Sequence, residues 1–193
     1  VIGTTEVGER PLSVAVGGGF AWVTNENDGT VSRIDTETGE VAGDPISVGE
    51  EPSNIRVGAG SVWVANAGSN TVSRIDPETN RTEQTIRVGE RPTGVRVGAG
   101  SVWVSNTDEA TVSRIDPDSG RVTDTIPVGS RPAGVAIDED VVWVVNSDDG
   151  TVSRISAKSG EVVGNPIEVG AQPRGIVVDF GSAWVTNSFD DTV

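Results

Sequence analysis

A pattern of about 40 residues runs along the whole chain and limits what it can fold into. The tetrapeptide Trp-Val-x-Asn begins at Trp22, Trp63, Trp103, Trp143 and Trp184, in steps of 41, 40, 40 and 41 residues. Thr-Val-Ser-Arg-Ile begins at Thr30, Thr71, Thr111 and Thr151, and the chain stops at a fifth start, Thr192-Val193. Val-Gly-x-x-Pro begins at Val7, Val48, Val88, Val128 and Val169. Because the three elements keep a fixed phase, each repeat is one supersecondary unit.

Within one repeat, apolar residues alternate with a period of two, which is typical of strands rather than helices. Residues 94–97, 101–105, 111–115 and 122–128 predict four short strands, and no helical segment is found. Asp116-Pro117-Asp118-Ser119-Gly120 carries the residue types of a tight turn. Four short antiparallel strands per 40 residues predict an all-β fold, a β-propeller of four-stranded antiparallel blades.

The phase of the repeats predicts where the blades begin and end. We expect one domain over residues 1–193, with complete blades at about 11–49, 52–89, 92–129 and 132–170 and a partial blade at 173–193. Residues 1–8 align with a fourth strand, so five blades are predicted, four complete and one split between the termini. Split-blade closure of this kind seals a propeller ring. Since the last repeat stops inside its third strand, a larger ring, completed by further sequence or by another chain, is the alternative.

The repeat elements also resemble a known family. Trp22-Val23-Thr24-Asn25 and Trp184-Val185-Thr186-Asn187, taken with Thr-Val-Ser-Arg-Ile-Asp and Val-Gly-x-x-Pro, resemble the YVTN β-propeller repeat, close to the streptogramin (virginiamycin B) lyase propellers. The resemblance covers essentially the whole chain. It implies an extracytoplasmic sensor or a surface module, and therefore an extracellular or cell-surface location. An enzyme of the streptogramin-lyase type would imply an axial metal site and a histidine acid/base, and this chain has no histidine.

The composition excludes several kinds of chemistry. The chain has no Cys and no His, which excludes a disulfide framework, a cysteine nucleophile, a Ser-His-Asp triad and a histidine metal site. Its net charge of −15 argues against nucleic acid as a partner, because phosphate binding needs a basic stripe. No apolar run approaches the ~20 residues of a membrane span, so membrane insertion is not expected. We therefore expect no enzyme, no cofactor and no metal site; the short acidic clusters at Asp148-Asp149 and Asp190-Asp191 match no calcium motif.

Residues that recur in every repeat are interpreted as scaffold. The tryptophans are expected to pack between adjacent sheets. The asparagines that end the second strands, Asn25, Asn66, Asn106, Asn146 and Asn187, are expected to bond local backbone. The third-strand arginines, Arg33, Arg74, Arg114 and Arg154, are expected to lay their stems on the sheet and to pair with acids. The functional alternatives are an aromatic ring that stacks a sugar or a quinone cofactor, and an arginine ring that binds anions.

The loops that vary between repeats are the candidate binding surface. If the first strands run away from one face, that face collects the connections between fourth and first strands and between second and third strands. The candidate binding residues there are Arg10, Arg91, Arg131, Arg174, Asp108, Asp148, Asp149 and Phe189. Phe189 is a lone aromatic residue in an otherwise polar loop, and binding sites use residues of this kind. Surface decoration without a ligand is the alternative interpretation.

Two further arginines, Arg56 and Arg96, fall in the first strands of consecutive repeats, and first strands line the axial channel of a propeller. Anion binding in the channel is one hypothesis for them. Neutralisation of a channel mouth ringed by acids is the preferred one.

The sequence as a whole predicts a non-catalytic β-propeller scaffold. It would bind an unknown protein or small ligand through the loop face, as a monomer or in an assembly with further blades. The alternative is a structural subunit whose open blade is completed in trans, and an enzyme of the lyase type ranks third.

Overall fold

Short antiparallel strands make up all regular secondary structure in this computed structural model, which describes residues 3–193. The expected all-β fold of four-stranded antiparallel sheets is confirmed, and no helix occurs among the described residues. The chain divides into an N-terminal part that ends at Arg87 and a C-terminal part that begins at Val88. The blade boundaries and the single domain drawn from the sequence stay predictions.

The N-terminal part holds two meandering sheets, in which each strand pairs with the next along the chain. Sheet 1 contains β1 (Pro11–Gly17), β2 (Phe20–Asn25), β3 (Thr30–Asp35) and β4 (Ile46–Ser47). Sheet 2 contains β5 (Pro52–Gly58), β6 (Ser61–Asn66), β7 (Thr71–Asp76) and β8 (Arg81–Arg87).

The C-terminal part continues the same order in three sheets. Sheet 3 contains β9 (Pro92–Gly98), β10 (Ser101–Asn106), β11 (Thr111–Ile115) and β12 (Val122–Pro127). Sheet 4 contains β13 (Pro132–Asp138), β14 (Val141–Asn146), β15 (Thr151–Ser156) and β16 (Ile167–Glu168). Sheet 5 contains only β17 (Pro173–Asp179) and β18 (Ser182–Asn187).

The strand expected over residues 1–8 is not formed by its described portion, residues 3–8, and Val1 and Ile2 lie outside the described residues. A fourth strand needs a third strand as its partner. In the last repeat the third strand is represented by a single bridge between Asn187 and Thr192, so sheet 5 offers no complete edge for such pairing.

Within each of the two parts, the core lies between consecutive sheets, and a second-strand tryptophan fills it. In the N-terminal part, Trp22 of sheet 1 is fully buried in a cluster that includes Ile55 and Val62 of sheet 2. In the C-terminal part, Trp103 of sheet 3 is buried in the same way in a cluster with Val135 and Val142 of sheet 4. The interpretation of these tryptophans as core is confirmed. An indole is the largest apolar side chain available to span the gap between two facing sheets.

Trp184 departs from this pattern, because 54% of its surface is exposed. Its ring belongs to sheet 5, and the described chain has no following sheet to cover it. A tryptophan at the repeat position of Trp22 is therefore buried only where another sheet packs on it.

Candidate functional site

The varying loops and the connections before the first strands lie at the same end of each sheet, as the sequence predicted. The amide of Glu26 donates a hydrogen bond to the carbonyl of Arg10 at 3.1 Å. The same bond recurs as Ala67 to Glu51, Thr107 to Arg91, Ser147 to Arg131 and Ser188 to Gln172, at 2.9, 3.0, 3.1 and 3.2 Å. We call this end of each sheet the loop end.

The backbone is left-handed at three of the four arginines predicted at the loop face. Arg10, Arg91 and Arg131 have φ of 55°, 50° and 52°, which is uncommon for a residue with a Cβ. Glu51 and Gln172 adopt the same conformation at the same repeat position. Because every repeat shares it, this conformation belongs to the scaffold and is not the mark of one binding site.

An acceptor side chain in the second-to-third-strand loop closes each loop end, and the sequence analysis missed it. Oδ2 of Asp149 accepts a hydrogen bond from the amide of Ser130 at 2.7 Å. Equivalent bonds join Asp28 to Glu9, Ser69 to Glu50, Glu109 to Glu90 and Asp190 to Ala171. The available signal was the third residue after each asparagine, which is always Asp, Ser or Glu. One carboxylate oxygen of Asp149 therefore serves the scaffold.

Several predicted binding residues pair with neighbouring side chains at their loop ends. Nε of Arg10 lies 2.9 Å from a carboxylate oxygen of Glu26. Nε of Arg131 lies 3.7 Å from Oδ1 of Asp148, and that oxygen also accepts a bond from Nε2 of Gln172 at 3.2 Å.

Two other predicted binding residues, Arg174 and Asp108, make single hydrogen bonds at their loop ends. Arg174 donates from Nε to the hydroxyl of Ser188 at 3.3 Å. Asp108 is exposed, and its amide donates to the carbonyl of Glu90 at 3.3 Å.

Phe189 stands beside a cleft of about 440 Å³ at the loop end shared by sheets 4 and 5. The lining residues are Ser147, Asp148, Asp149, Gly150, Glu168, Val169, Gly170, Ala171, Gln172 and Phe189. The Phe189 side chain is 72% exposed, although its amide is held by the carbonyl of Ala171 at 3.3 Å. The structure thus brings Asp148, Asp149 and Phe189 together.

The corresponding cleft in the N-terminal part has about 520 Å³ and no aromatic side chain. Its acidic lining residues are Glu26, Asp28, Glu50 and Glu51. Asn27 occupies there the loop position that Phe189 has in the last repeat. Phe189 is therefore the aromatic addition to a cleft that is otherwise lined mainly by polar, acidic and small residues.

The recurring asparagines are structural, but their partners are hydroxyl groups rather than local backbone. Nδ2 of Asn146 donates to Thr151 and to Ser153, each at 2.9 Å, and its Oδ1 accepts from the amide of Gly129 at 3.2 Å. Asn25, Asn66 and Asn106 make the same pair of hydroxyl contacts on their own third strands. The expectation of local backbone bonding is corrected: the threonine and serine of Thr-Val-Ser-Arg-Ile are the acceptors.

The third-strand arginines lie over the tryptophans of their own sheets. The guanidinium carbons of Arg33, Arg74, Arg114 and Arg154 lie 5.7, 5.6, 5.2 and 6.0 Å from the centres of the Trp22, Trp63, Trp103 and Trp143 rings. Arg74 and Arg114 also pair with Glu83 and Asp124 at 3.8 and 3.6 Å. For these two arginines the predicted stem packing and acid pairing is confirmed.

Arg56 and Arg96 lie on the first strands β5 and β9, as expected, and both are partly buried. A terminal nitrogen of Arg56 donates to the carbonyl of Ile55 at 2.6 Å. Nε of Arg96 donates to the carbonyl of Val135 at 2.7 Å, and burial lowers the pKa of the Arg96 guanidinium from its ordinary value.

Three turn aspartates have pKa values lowered by hydrogen bonds to the ionised carboxylate. For Asp35 the largest cause is the amide of Thr38, and for Asp76 it is the amide of Glu78. For Asp116 the hydroxyl of Ser119 lowers the pKa most, followed by the amide of the same residue. These groups cap turns and lie in neither acidic cleft.

Among residues 3–193, no three acidic side chains come close enough together to hold a metal ion. The same residues contain no helix that could cross a membrane.

Comparison with known proteins identifies the fold. No family model matches the chain, and no curated protein matches its sequence. Hydrazine synthase of Kuenenia stuttgartiensis shares 22% identity at a TM-score of 0.78, over 92% of this chain and 55% of that one. Virginiamycin B lyase of Staphylococcus aureus shares 19% identity at a TM-score of 0.79, over 91% of this chain and 62% of that one. A functionally unknown protein of Desulfotomaculum acetoxidans shares 16% identity at a TM-score of 0.80, over 94% of this chain and 64% of that one.

The sheets are β-propeller blades. This likeness confirms the predicted fold class and the kinship in fold with the streptogramin lyase propellers. The chain spans between 55% and 64% of the length of these three neighbours. At such low identity the likeness concerns the fold alone.

Proposed function

We propose that this chain is a non-catalytic binding module that recognises a partner through the loop end beside Phe189. The observation that carries the proposal is the 72% exposure of this phenylalanine on the rim of a cleft that also contains Asp148, Asp149 and Glu168. The four sister loops have Asn27, Gly68, Asp108 and Asp148 at the same position. An exposed aromatic side chain with no role in the core is a typical anchor of a binding surface.

The chemistry of the cleft favours a basic, partly apolar polypeptide segment as the ligand. Asp148 and Glu168 line the cleft with Phe189, while Arg131 already pairs with Asp148. A lysine or arginine side chain can contact the carboxylates with its charged end and the aromatic ring with its stem. The net charge of −15 attracts such a segment at long range.

A pair of phenylalanine variants tests this assignment. Phe189→Asn introduces the residue found at Asn27 in the first repeat, so the loop should keep its fold and the charge of the cleft is unchanged. Phe180→Asn is the matched control, because Phe180 is 96% exposed in the turn between β17 and β18, away from the loop end. The probe is a set of fluorescent peptides that alternate lysine or arginine with leucine, measured by polarisation.

We expect Phe189→Asn to weaken peptide binding at least about tenfold and Phe180→Asn to leave it nearly unchanged. The melting temperatures of both variants should equal that of the parent. Equal binding by the parent and Phe189→Asn would overturn the proposed site. Absence of saturable binding by every peptide in the set would overturn the proposed ligand class.

The absence of His and Cys supports a role without catalysis, since the usual acid/base and nucleophile are missing from the sequence. The resemblance of its repeat elements to the YVTN family supports a place in an extracellular or cell-surface protein. Incubation of the chain with a streptogramin antibiotic, followed by chromatography, distinguishes a binding module from a lyase. A binding module would leave the antibiotic intact, whereas a lyase would produce the cleaved form.

A second candidate function, assembly, is favoured by uncovered apolar faces. Leu12, Val14 and Val16 on β1 are 53%, 58% and 69% exposed. The repeat equivalents of Val14 and Val16 on β5 are Ile55 and Val57, which pack in the cluster that buries Trp22. Trp184 is the uncovered counterpart of Trp22, so the Trp184 face of one copy fits the β1 face of a second copy.

Sedimentation velocity over a range of concentrations tests the assembly candidate. Head-to-tail association should raise the average mass with concentration, and Val14→Lys should abolish this rise. Lys introduced at Leu12, at the rim of the same face, should weaken it less. A parent chain that stays monomeric at every concentration would remove this candidate.

A further inference from the structure

No carboxylate pairs with Arg96 among residues 3–193, although its guanidinium is partly buried. Arg10, Arg74, Arg114 and Arg131 each have an acidic partner within 4 Å. Arg96 donates only from Nε, to the carbonyl of Val135. Its terminal nitrogens, the two that form the fork of the guanidinium, have no protein acceptor in the described chain.

A small cleft lies beside this guanidinium in the C-terminal part. It has about 200 Å³ and is lined by Arg96, Val97, Ala136, Ile137, Val177 and Val178. These residues come from the first strands β9, β13 and β17, and Arg96 is the one charged group among them. No acidic side chain of the described residues lines this cleft, while neutralisation of a channel mouth ringed by acids stays a prediction for Arg56 and Arg96.

The repeat explains how the cleft arises. One repeat position is occupied in turn by Ala15, Arg56, Arg96, Ala136 and Val177. After Arg96 on β9, this position therefore holds the small Ala136 on β13 and the apolar Val177 on β17. The β9 and β13 backbones come close together at Gly94, where a Cβ would lie 2.5 Å from the carbonyl oxygen of Ala133. This close approach holds Arg96 against β13, and the guanidinium lies beside the cleft.

Partial burial of a cation without a counter-ion is unfavourable, since the charge loses part of its hydration. The bond to the Val135 carbonyl offsets part of that cost. The chain has a net charge of −15, yet no carboxylate in the described part of the chain neutralises this guanidinium. A bound anion would supply the missing negative charge. The lowered pKa of Arg96 agrees with this imbalance.

We propose that this cleft binds a small organic carboxylate with a short branched aliphatic tail. The planar guanidinium fork matches the two oxygens of a carboxylate. Val97, Ile137 and Val178 offer the tail an apolar wall. The site shares no lining residue with the cleft beside Phe189, so it adds a small-ligand site to the proposed recognition of a polypeptide.

Methyl NMR of the whole 193-residue chain tests the proposal with isobutyrate as the probe. Isobutyramide is its matched control, because it has the same shape and no charge. Arg96→Gln removes the fork, and Arg121→Gln, at an exposed arginine in the turn before β12, makes the same change in net charge elsewhere.

We expect isobutyrate to shift the methyl signals of Val97, Ile137 and Val178 saturably in the parent and in Arg121→Gln. Arg96→Gln should lose these shifts, and isobutyramide should produce none of comparable size. Equal shifts with the amide, equal shifts in Arg96→Gln, or shifts that never saturate would each overturn the site. Because peptide binding at Phe189 is measured separately, failure here leaves the proposed function standing.

Discussion

The guanidinium carbon of Arg114 lies 5.2 Å from the centre of the Trp103 ring, and the two residues are direct partners in the pairing of β10 with β11. Arg114 also donates from Nε to the hydroxyl of Ser101 at 2.9 Å and pairs with Asp124 at 3.6 Å. One arginine therefore connects three strands of sheet 3 and covers the indole. This explains why Trp and Arg recur together in the first four repeats.

Replacing Arg114 by alanine should lower the free energy of unfolding by about 1–3 kcal/mol, because a cation–π contact and a hydrogen bond are lost together. Urea unfolding followed by tryptophan fluorescence measures the change. Arg121→Ala, at an exposed arginine of the same part, should stay within about 0.5 kcal/mol of the parent. Equal effects of the two variants would mean that the stacked geometry contributes nothing.

Asn146 should be more sensitive to truncation than Asn187. Asn146→Ala leaves the hydroxyls of Thr151 and Ser153 and the amide of Gly129 without their partner, which should cost about 1–3 kcal/mol or more. Asn187→Ala removes bonds to Thr192 and Gly170 only, in a sheet with wider solvent access, and should cost less. Denaturant unfolding of both variants measures the loss of unfolding free energy in each. A larger loss for Asn187→Ala than for Asn146→Ala would contradict the role given to these hydrogen bonds.

Gly94→Ala should destabilise the C-terminal part by about 1–3 kcal/mol. The added Cβ would lie 2.5 Å from the Ala133 carbonyl oxygen and 2.6 Å from the Ser105 hydroxyl, and backbone cannot move aside cheaply. The same substitution at Gly3, where nothing lies within 4 Å, is the control and should be neutral. Thermal melts measure both, and a stable Gly94→Ala variant would show that β9 and β13 do not depend on this close approach.

The turn at Asp116 should make stability depend on pH in the acid range. The folded pKa of Asp116 is lowered by Ser119, so its ionised form stabilises the fold above the unfolded pKa. That contribution is lost as the pH falls through the lower, folded pKa. Asp116→Ser, which introduces the residue found at Ser156 in the next repeat, should be less stable than the parent near neutrality. The difference should shrink in strong acid, and a constant difference at every pH would contradict the role of ionisation.

Much of the scaffold could be predicted from residues close in sequence. The period of two identified the strands, and the fixed phase of Trp and Asn identified the sheets and the residues that hold them. The candidate loop residues were placed at the correct end, since alternating strand directions bring those connections together. The bond between Asp149 and Ser130 could not be predicted in this way, because its partners lie 19 residues apart across a repeat boundary.

The sequence by itself determined what is local: which segments become strands, where the turns fall, and which side chains point to the same face of a sheet. The tertiary structure decided what depends on a neighbouring sheet. Trp22 is fully buried and Trp184 is 54% exposed, although their tetrapeptides are identical. Likewise most of the apolar lining of the cleft beside Arg96 comes from β13 and β17, which belong to the two following sheets. Burial is a property of the surface that covers a residue, and that surface comes from a distant part of the chain.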